Sequence, residues 1–149
     1  GGVSSRPGSE YCGEDEELRR VRPIIKKIYE MKLYEKMVFS IDSFNPKVID
    51  LALGSGFKIV NDITGLANDE VAKVSGKYDA KVCIMHIKGT PKEMQNKPFY
   101  EDVILEVDNY FQKRIEKAHK YGINNIILDV GIGFGKRLED KLKLIKHLE

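Results

Sequence analysis

The sequence predicts an α/β fold, an incomplete portion of a (β/α)8 barrel covering roughly strands 2/3 to 6 with their helices. Three observations lead there. Helical and strand patterns alternate strictly along the chain, which calls for a parallel sheet with right-handed crossovers. Strand-like runs end on polar side chains and open into loops, which is where such barrels place their ligands. Nucleotide loops are missing. No Gly-x-Gly-x-x-Gly follows a first strand, and the glycines at 131, 133 and 135 fail the phosphate-loop pattern. Val130 sits where the first glycine of that pattern belongs, and Arg137 replaces its Ser or Thr.

The elements follow in order. Residues 1–13, rich in Gly and Ser with Arg6 and Pro7, read as a loop. Glu14, Asp15, Glu16 and Glu17 suit the positive end of a helix and read as a solvated helix start. Leu18, Val21, Ile24, Ile25 and Ile28 give that helix one apolar face out to about residue 34, with Pro23 expected to kink or confine it. A strand is expected over 37–43. Asn45 then caps a helix that has Pro46 at its first position and ends at Gly54 and Gly56. A strand over 57–63 precedes a short helix over 68–75 that Gly76 stops. The strand over 80–85 ends on His86, and a loop with Gly89, Pro91 and Pro98 follows. The longest helix runs over 100–121, with Val103, Val107, Phe111, Ile115 and Ala118 as its buried stripe and Gly122 as its stop. Ile126, Ile127 and Leu128 form a continuous apolar run, as in a parallel strand covered on both faces, and it ends on Asp129. Lys136 is read as opening the last helix, whose apolar face is Leu138, Leu142, Ile145 and Leu148.

Composition narrows the function. The chain has 149 residues, 42% hydrophobic, enough for one domain with a core over residues 1–149. Its 25 basic and 23 acidic residues nearly cancel, against the concentrated basic surface that nucleic-acid binding needs. No apolar run is long enough to span a bilayer, and no leader is visible, so a cytoplasmic protein is expected. Cys12 and Cys83 make no metal spacing, and Cys83, inside an apolar strand, reads as a small core residue. The abrupt start at Gly1 and the stop at Glu149 are read as truncation at both ends.

Side chains alternate along a strand. Asp42 therefore shares a face with Ser40, Asn61 with Ile59, Met85 with Cys83, and Asp129 with Ile127. If those faces point inward, Asp42, Asn61, Met85 and Asp129 converge at one mouth. Two carboxylates, a carboxamide and a thioether suit a flat heterocycle with donors along one edge. Taken singly, each also fits a turn, a cap or the core, and it is the coincidence of position that favours a site. Arg6 and Lys136 are cations at the same end, suited to an anionic substrate or a leaving phosphate. His86, His119 and His147 read as ordinary loop or surface residues. No nucleophile triad and no metal-ligand cluster is visible.

Five stretches resemble the dihydropteroate synthase family in order and spacing: Gly2-Val3-Ser4-Ser5-Arg6-Pro7-Gly8, Ser40-Ile41-Asp42-Ser43, Val60-Asn61-Asp62-Ile63, Ile84-Met85-His86, and Leu128-Asp129-Val130-Gly131-Ile132-Gly133-Phe134-Gly135-Lys136. The resemblance implies a TIM barrel that joins 4-aminobenzoate to a dihydropterin methyl diphosphate, with Mg2+ assistance, in folate biosynthesis. It implies that Asp42, Asn61 and Asp129 hold the pterin and that Met85 packs near it. Ser5, Arg6, Pro7 and Lys136 would shape the diphosphate and aminobenzoate end, and Phe134 would contact the aminobenzoate or a sulfonamide mimicking it. The implied reaction is dissociative and needs no protein nucleophile.

Two positions depart from the family pattern, Ser5 for Thr and Val130 for Pro. The implied metal-binding Asn falls upstream of Gly1, and only about four of the eight strands of a closed barrel are present. The 149 residues alone are therefore expected to be inactive, although full-length family members tend to be homodimers. The strand-end acids alone also fit a methyltetrahydrofolate-type pterin-binding methyltransferase domain, and the chain also fits a non-catalytic pterin-binding remnant.

Overall fold

A computed structural model describes residues 11–88 and 99–148. Helix α1, Glu14–Glu30, and a 3-10 turn at Leu33–Glu35 precede strand β1, Ser40–Asp42. Then come α2 (Pro46–Gly54), β2 (Ile59–Asp62), α3 (Asp69–Lys77), β3 (Lys81–Met85), α4 (Val103–Lys120), β4 (Ile126–Asp129) and α5 (Leu138–Lys146). The four strands form one sheet in sequence order, every neighbour parallel. Successive helices pack on one another along one side, α1 on α2, α2 on α3, α3 on α4 and α4 on α5. This is the arc that a portion of a (β/α)8 barrel makes.

The two faces of the sheet differ. Ile41, Val60, Val82 and Ile84 point to the helices and are buried. They meet Val48, Ile49, Ala52 and Leu53 of α2, Val71 and Ala72 of α3, and Val107 and Phe111 of α4 in one core. The alternate residues face the concave side, which is open. Ser40, Asp42, Lys81 and Ile127 are exposed there, and Ile59, Asn61 and Cys83 are half-buried.

Helix starts follow local chemistry. Asn45 caps α2 by accepting from the Lys47 N–H at 3.0 Å, with Pro46 at the first position. Asn68 does the same for α3, and Asp102 caps α4 by accepting from the Ile104 and Leu105 N–H groups.

Several boundaries differ from the sequence reading. Sheet pairing begins at Ser40, because β1 has only β2 beside it, and Met37 and Val38 stand exposed ahead of it. Helix α1 runs through Pro23, whose ring lies on the exposed side, so the Arg19 carbonyl that loses its donor faces water. Gly76 does not stop α3, which continues to Lys77. A Cβ at Gly76 would collide with the Tyr121 carbonyl, so this glycine permits close approach of α3 to the end of α4. Lys136 does not open a helix. Helix α5 begins two residues later, and Asp140 accepts from the Arg137 N–H at 3.2 Å.

Candidate functional site

The register decides which strand-end side chains meet. Asp42 lies opposite Asn61, and Asn61 opposite Cys83. Met85 lies opposite Asp129. Adjacent strands are about 4.8 Å apart, so Asp42, Asn61 and Cys83 form one row across the concave face. Met85 and Asp129 form a second row, two residues or about 6.6 Å nearer the carboxyl ends. The structure therefore brings Asp42, Asn61, Met85 and Asp129 to one face of the sheet, where Met85 is buried, 3% exposed, and Asp42 is exposed. Ser5, Arg6 and Pro7 lie outside the described residues.

Among the described residues, neither the Asp42 carboxylate nor the Asn61 carboxamide has a side-chain hydrogen bond. Although its side chain reaches solvent, partial enclosure of the Asp42 carboxyl by the neighbouring strand ends raises it above its ordinary pKa, and the carboxylates of Glu17 and Asp62 push it the same way. Asp62, one residue beyond Asn61, points to the opposite face. There it caps its own turn, accepting from the Thr64 N–H at 2.8 Å, the Thr64 hydroxyl at 2.6 Å and the Leu66 N–H at 2.9 Å. Those bonds let an otherwise costly carboxylate stay fully buried.

Asp129 divides its oxygens. Oδ1 accepts from the Gly131 N–H at 2.8 Å, closing the turn after β4. Oδ2 has no partner among the described residues. Gly131 has φ 62°, and a Cβ there would run into the His86 carbonyl, so the turn requires glycine. Phe134 is half-buried, and its N–H donates to the Gly131 carbonyl at 2.9 Å.

Lys136 is buried, which the sequence did not reveal. Its Nζ donates to the carbonyls of Gly131 at 2.9 Å, Phe134 at 3.0 Å and His86 at 3.4 Å. An ammonium has three donors, so all are used to clamp the glycine loop to the end of β3. A contact with an anion requires exchanging one of them. Burial pushes the Lys136 pKa down to about 8 against the opposing pull of Asp129.

His86 is likewise a core residue, its ring edge-on to Tyr110 with centroids 4.9 Å apart. Its Nδ1 is buried with no hydrogen-bond partner among the described residues, and burial lowers its pKa to about 4, so the ring is neutral at neutral pH.

Two further readings are corrected. Cys83 is not in the helix-covered core. It is half-buried on the concave face beside Asn61, where burial and the charges of Asp129 and Asp42 raise its thiol pKa. The acidic run at 14–17 is only partly solvated, because Glu17 is buried against the turn after β1. A carboxylate at helical spacing from Val21, on the same face, was the one local hint.

No group of three or more His, Cys, Asp or Glu able to hold a metal ion occurs among the described residues. These residues do not build the all-oxygen shell that Mg2+ takes. Among the described residues no helix is long and apolar enough to cross a membrane.

A parallel arc with an open, polar-tipped inner face defines a ligand-binding (β/α)-barrel protein. The chain belongs to the pterin binding enzyme family, whose model matches residues 1–149. It is 39% identical over 148 residues to a bifunctional dihydropteroate synthase/dihydropteroate reductase of Helicobacter pylori, covering 99% of this chain and 39% of that one. It is 37% identical over 150 residues to the dihydropteroate synthase of Escherichia coli, covering 99% of this chain and 52% of that one. The crystal structure of a Clostridium difficile dihydropteroate synthase in the presence of pteroic acid superposes with a TM-score of 0.84 at 40% identity, covering 99% of this chain and 54% of that one. The chain thus spans about half the length, or less, of the relatives it matches.

Proposed function

We propose that this chain supplies the pterin-holding half of a dihydropteroate synthase. That enzyme condenses 4-aminobenzoate with (7,8-dihydropterin-6-yl)methyl diphosphate to give 7,8-dihydropteroate and diphosphate. One observation carries the reading: among the described residues Asp42 and Asn61 end their strands with no side-chain hydrogen bond, on the same face of the sheet as Asp129 and the buried Met85, while Asp62 beside them gives both oxygens to its own turn. Whole-chain likeness to synthases, one of them crystallised with pteroic acid, supports it and favours it over the methyltransferase reading.

On this reading the Asp42 and Asp129 carboxylates accept from the amino and ring N–H groups of the pterin. Asn61 donates and accepts at a neighbouring edge, and Met85 packs on the ring. Phe134 borders the aminobenzoate. Ser5, Arg6, Pro7 and Lys136 belong to the diphosphate and aminobenzoate end. The methylene C–O bond breaks first, and diphosphate leaves with the electron pair. The arylamine nitrogen then attacks the methylene carbon and gives up a proton. The cation formed between the two events is stabilised by fixed negative charge aimed at the ring. No protein nucleophile takes part, which suits a raised, un-ionised Cys83 thiol. Mg2+, when bound, would supply neutralisation of the diphosphate charge, and the described residues offer it no ligand set.

The test is calorimetric titration of 7,8-dihydropterin into the protein, with and without Asp129→Ala. Loss of a charge-assisted hydrogen bond weakens binding by about ten- to a hundredfold. Equal binding by both forms, or none by the parent, removes the reading.

A further inference from the structure

Tyr100 is a buried phenol that the proposed chemistry does not use. It stands just ahead of Asp102, the cap of α4, and is 2% exposed, with its ring in the core. Its hydroxyl crosses to the loop after β4 and donates to the Gly135 carbonyl at 2.8 Å. A return tie comes from Arg137, whose Nη2 donates to the Tyr100 carbonyl at 3.3 Å. The Lys88 ammonium lies 4.1 Å from the centre of the Tyr100 ring and helps to hold it in place. Among the described residues, Tyr100 is the only side chain of another element that hydrogen-bonds residues 130–136.

That loop carries Phe134, and its composition calls for an anchor. Gly131, Gly133 and Gly135 alternate along it, and glycine has the most backbone freedom to lose. Gly135 is buried with φ 60°, and its carbonyl, next after Phe134, needs a partner. Lys136 gathers the carbonyls of Gly131 and Phe134 from within the loop. Tyr100 ties the far side of Phe134 to the start of α4. Burial, with Glu106 and Asp140 adding to it, pushes the phenol up to about 12, so it stays a donor across the working pH range.

We propose that Tyr100 is a positioning residue that holds Phe134 against the aminobenzoate and so sets the affinity for the arylamine substrate. This inference rests on the synthase reading. Holding the loop in its bound shape before the substrate arrives removes an ordering cost from binding. On this proposal Phe134 touches the arylamine equally in the ground state and the transition state. Loss of the anchor therefore falls on the KM for that substrate and leaves kcat in place.

The experiment compares Tyr100→Phe, Phe134→Ala and the double variant in the protein as its own cell makes it, by steady-state condensation kinetics with each substrate varied in turn. Tyr100→Phe keeps the buried ring and deletes only the donor. Each single variant is expected to raise the aminobenzoate KM about tenfold, with kcat and the KM for the pterin diphosphate within about twofold of the parent. The double variant should raise it no further than Phe134→Ala alone, because one residue acts through the other. An unchanged aminobenzoate KM in either single, increases that multiply in the double, equal changes in both KM values, or a loss confined to kcat overturns the proposal. A parent that forms no 7,8-dihydropteroate sinks the synthase reading instead, so the two failures are distinguishable.

Discussion

Asp42 and Asp62 end neighbouring parallel strands, yet they do opposite work. Asp62 turns to the helix-covered side and gives both oxygens to its own turn. Asp42 turns to the concave side, with no side-chain hydrogen bond among the described residues. The contrast extends to the whole sheet. One face is lined by Ile41, Val60, Val82 and Ile84, and it holds the fold. The other carries Asp42, Asn61, Cys83, Met85 and Asp129, the side chains proposed to meet the pterin together with Cys83. Period-2 alternation places stability and chemistry one residue apart along every strand.

This division can be broken by substitution. The largest effect is expected from Ile84→Ala on the covered face, a loss of about 2–5 kcal/mol in urea unfolding with pterin affinity per folded molecule unchanged. Asp62→Asn comes next. It leaves the Leu66 N–H without its acceptor and costs about 1–3 kcal/mol of stability. Asp42→Asn is its counterpart and should weaken pterin binding about tenfold or more while moving the unfolding free energy by less than about 0.5 kcal/mol. If Asp42→Asn unfolds the protein and Asp62→Asn does not, the division of roles is reversed.

His86 refines the comparison through pH. Its folded pKa, about 4, lies below the ordinary 6.5. The unfolded chain therefore binds the extra proton first, and stability falls as pH drops from 6.5 towards 4. Replacing His86 with Phe should flatten that part of the stability profile, and a profile as steep as the parent's contradicts the assignment. The smallest effect is expected at Leu128. Its register is that of the covered face, but it is 44% exposed because β4 lies at the sheet edge. In the 149-residue chain Leu128→Ser should change stability by about 0.5 kcal/mol or less. A larger loss means that another segment covers that edge.

The order of the elements and the shared face of Asp42, Asn61, Met85 and Asp129 were legible in the sequence, because both rest on local periodicity. What was not legible depends on distant partners. Glu17 looked solvated because its donors Ser43 and Asn45 lie 26 and 28 residues away. Gly76 looked like a stop because the Tyr121 carbonyl that demands it belongs to another helix. Lys136 looked like a free cation because its carbonyl cage forms only when the end of β3 meets the loop after β4. The 37–43 run overreached because an edge strand pairs only as far as its one neighbour does.

The stagger between the two polar rows has a geometric outcome. A rigid plane that touches Asp42 and Asn61 as well as Met85 and Asp129 rests on a stair, and so leans across the strands. Its lower rim tips towards the thiol of Cys83 and its upper rim towards the mouth. Such a plane meets the row of Asp42, Asn61 and Cys83 at one rim and the row of Met85 and Asp129 at the other.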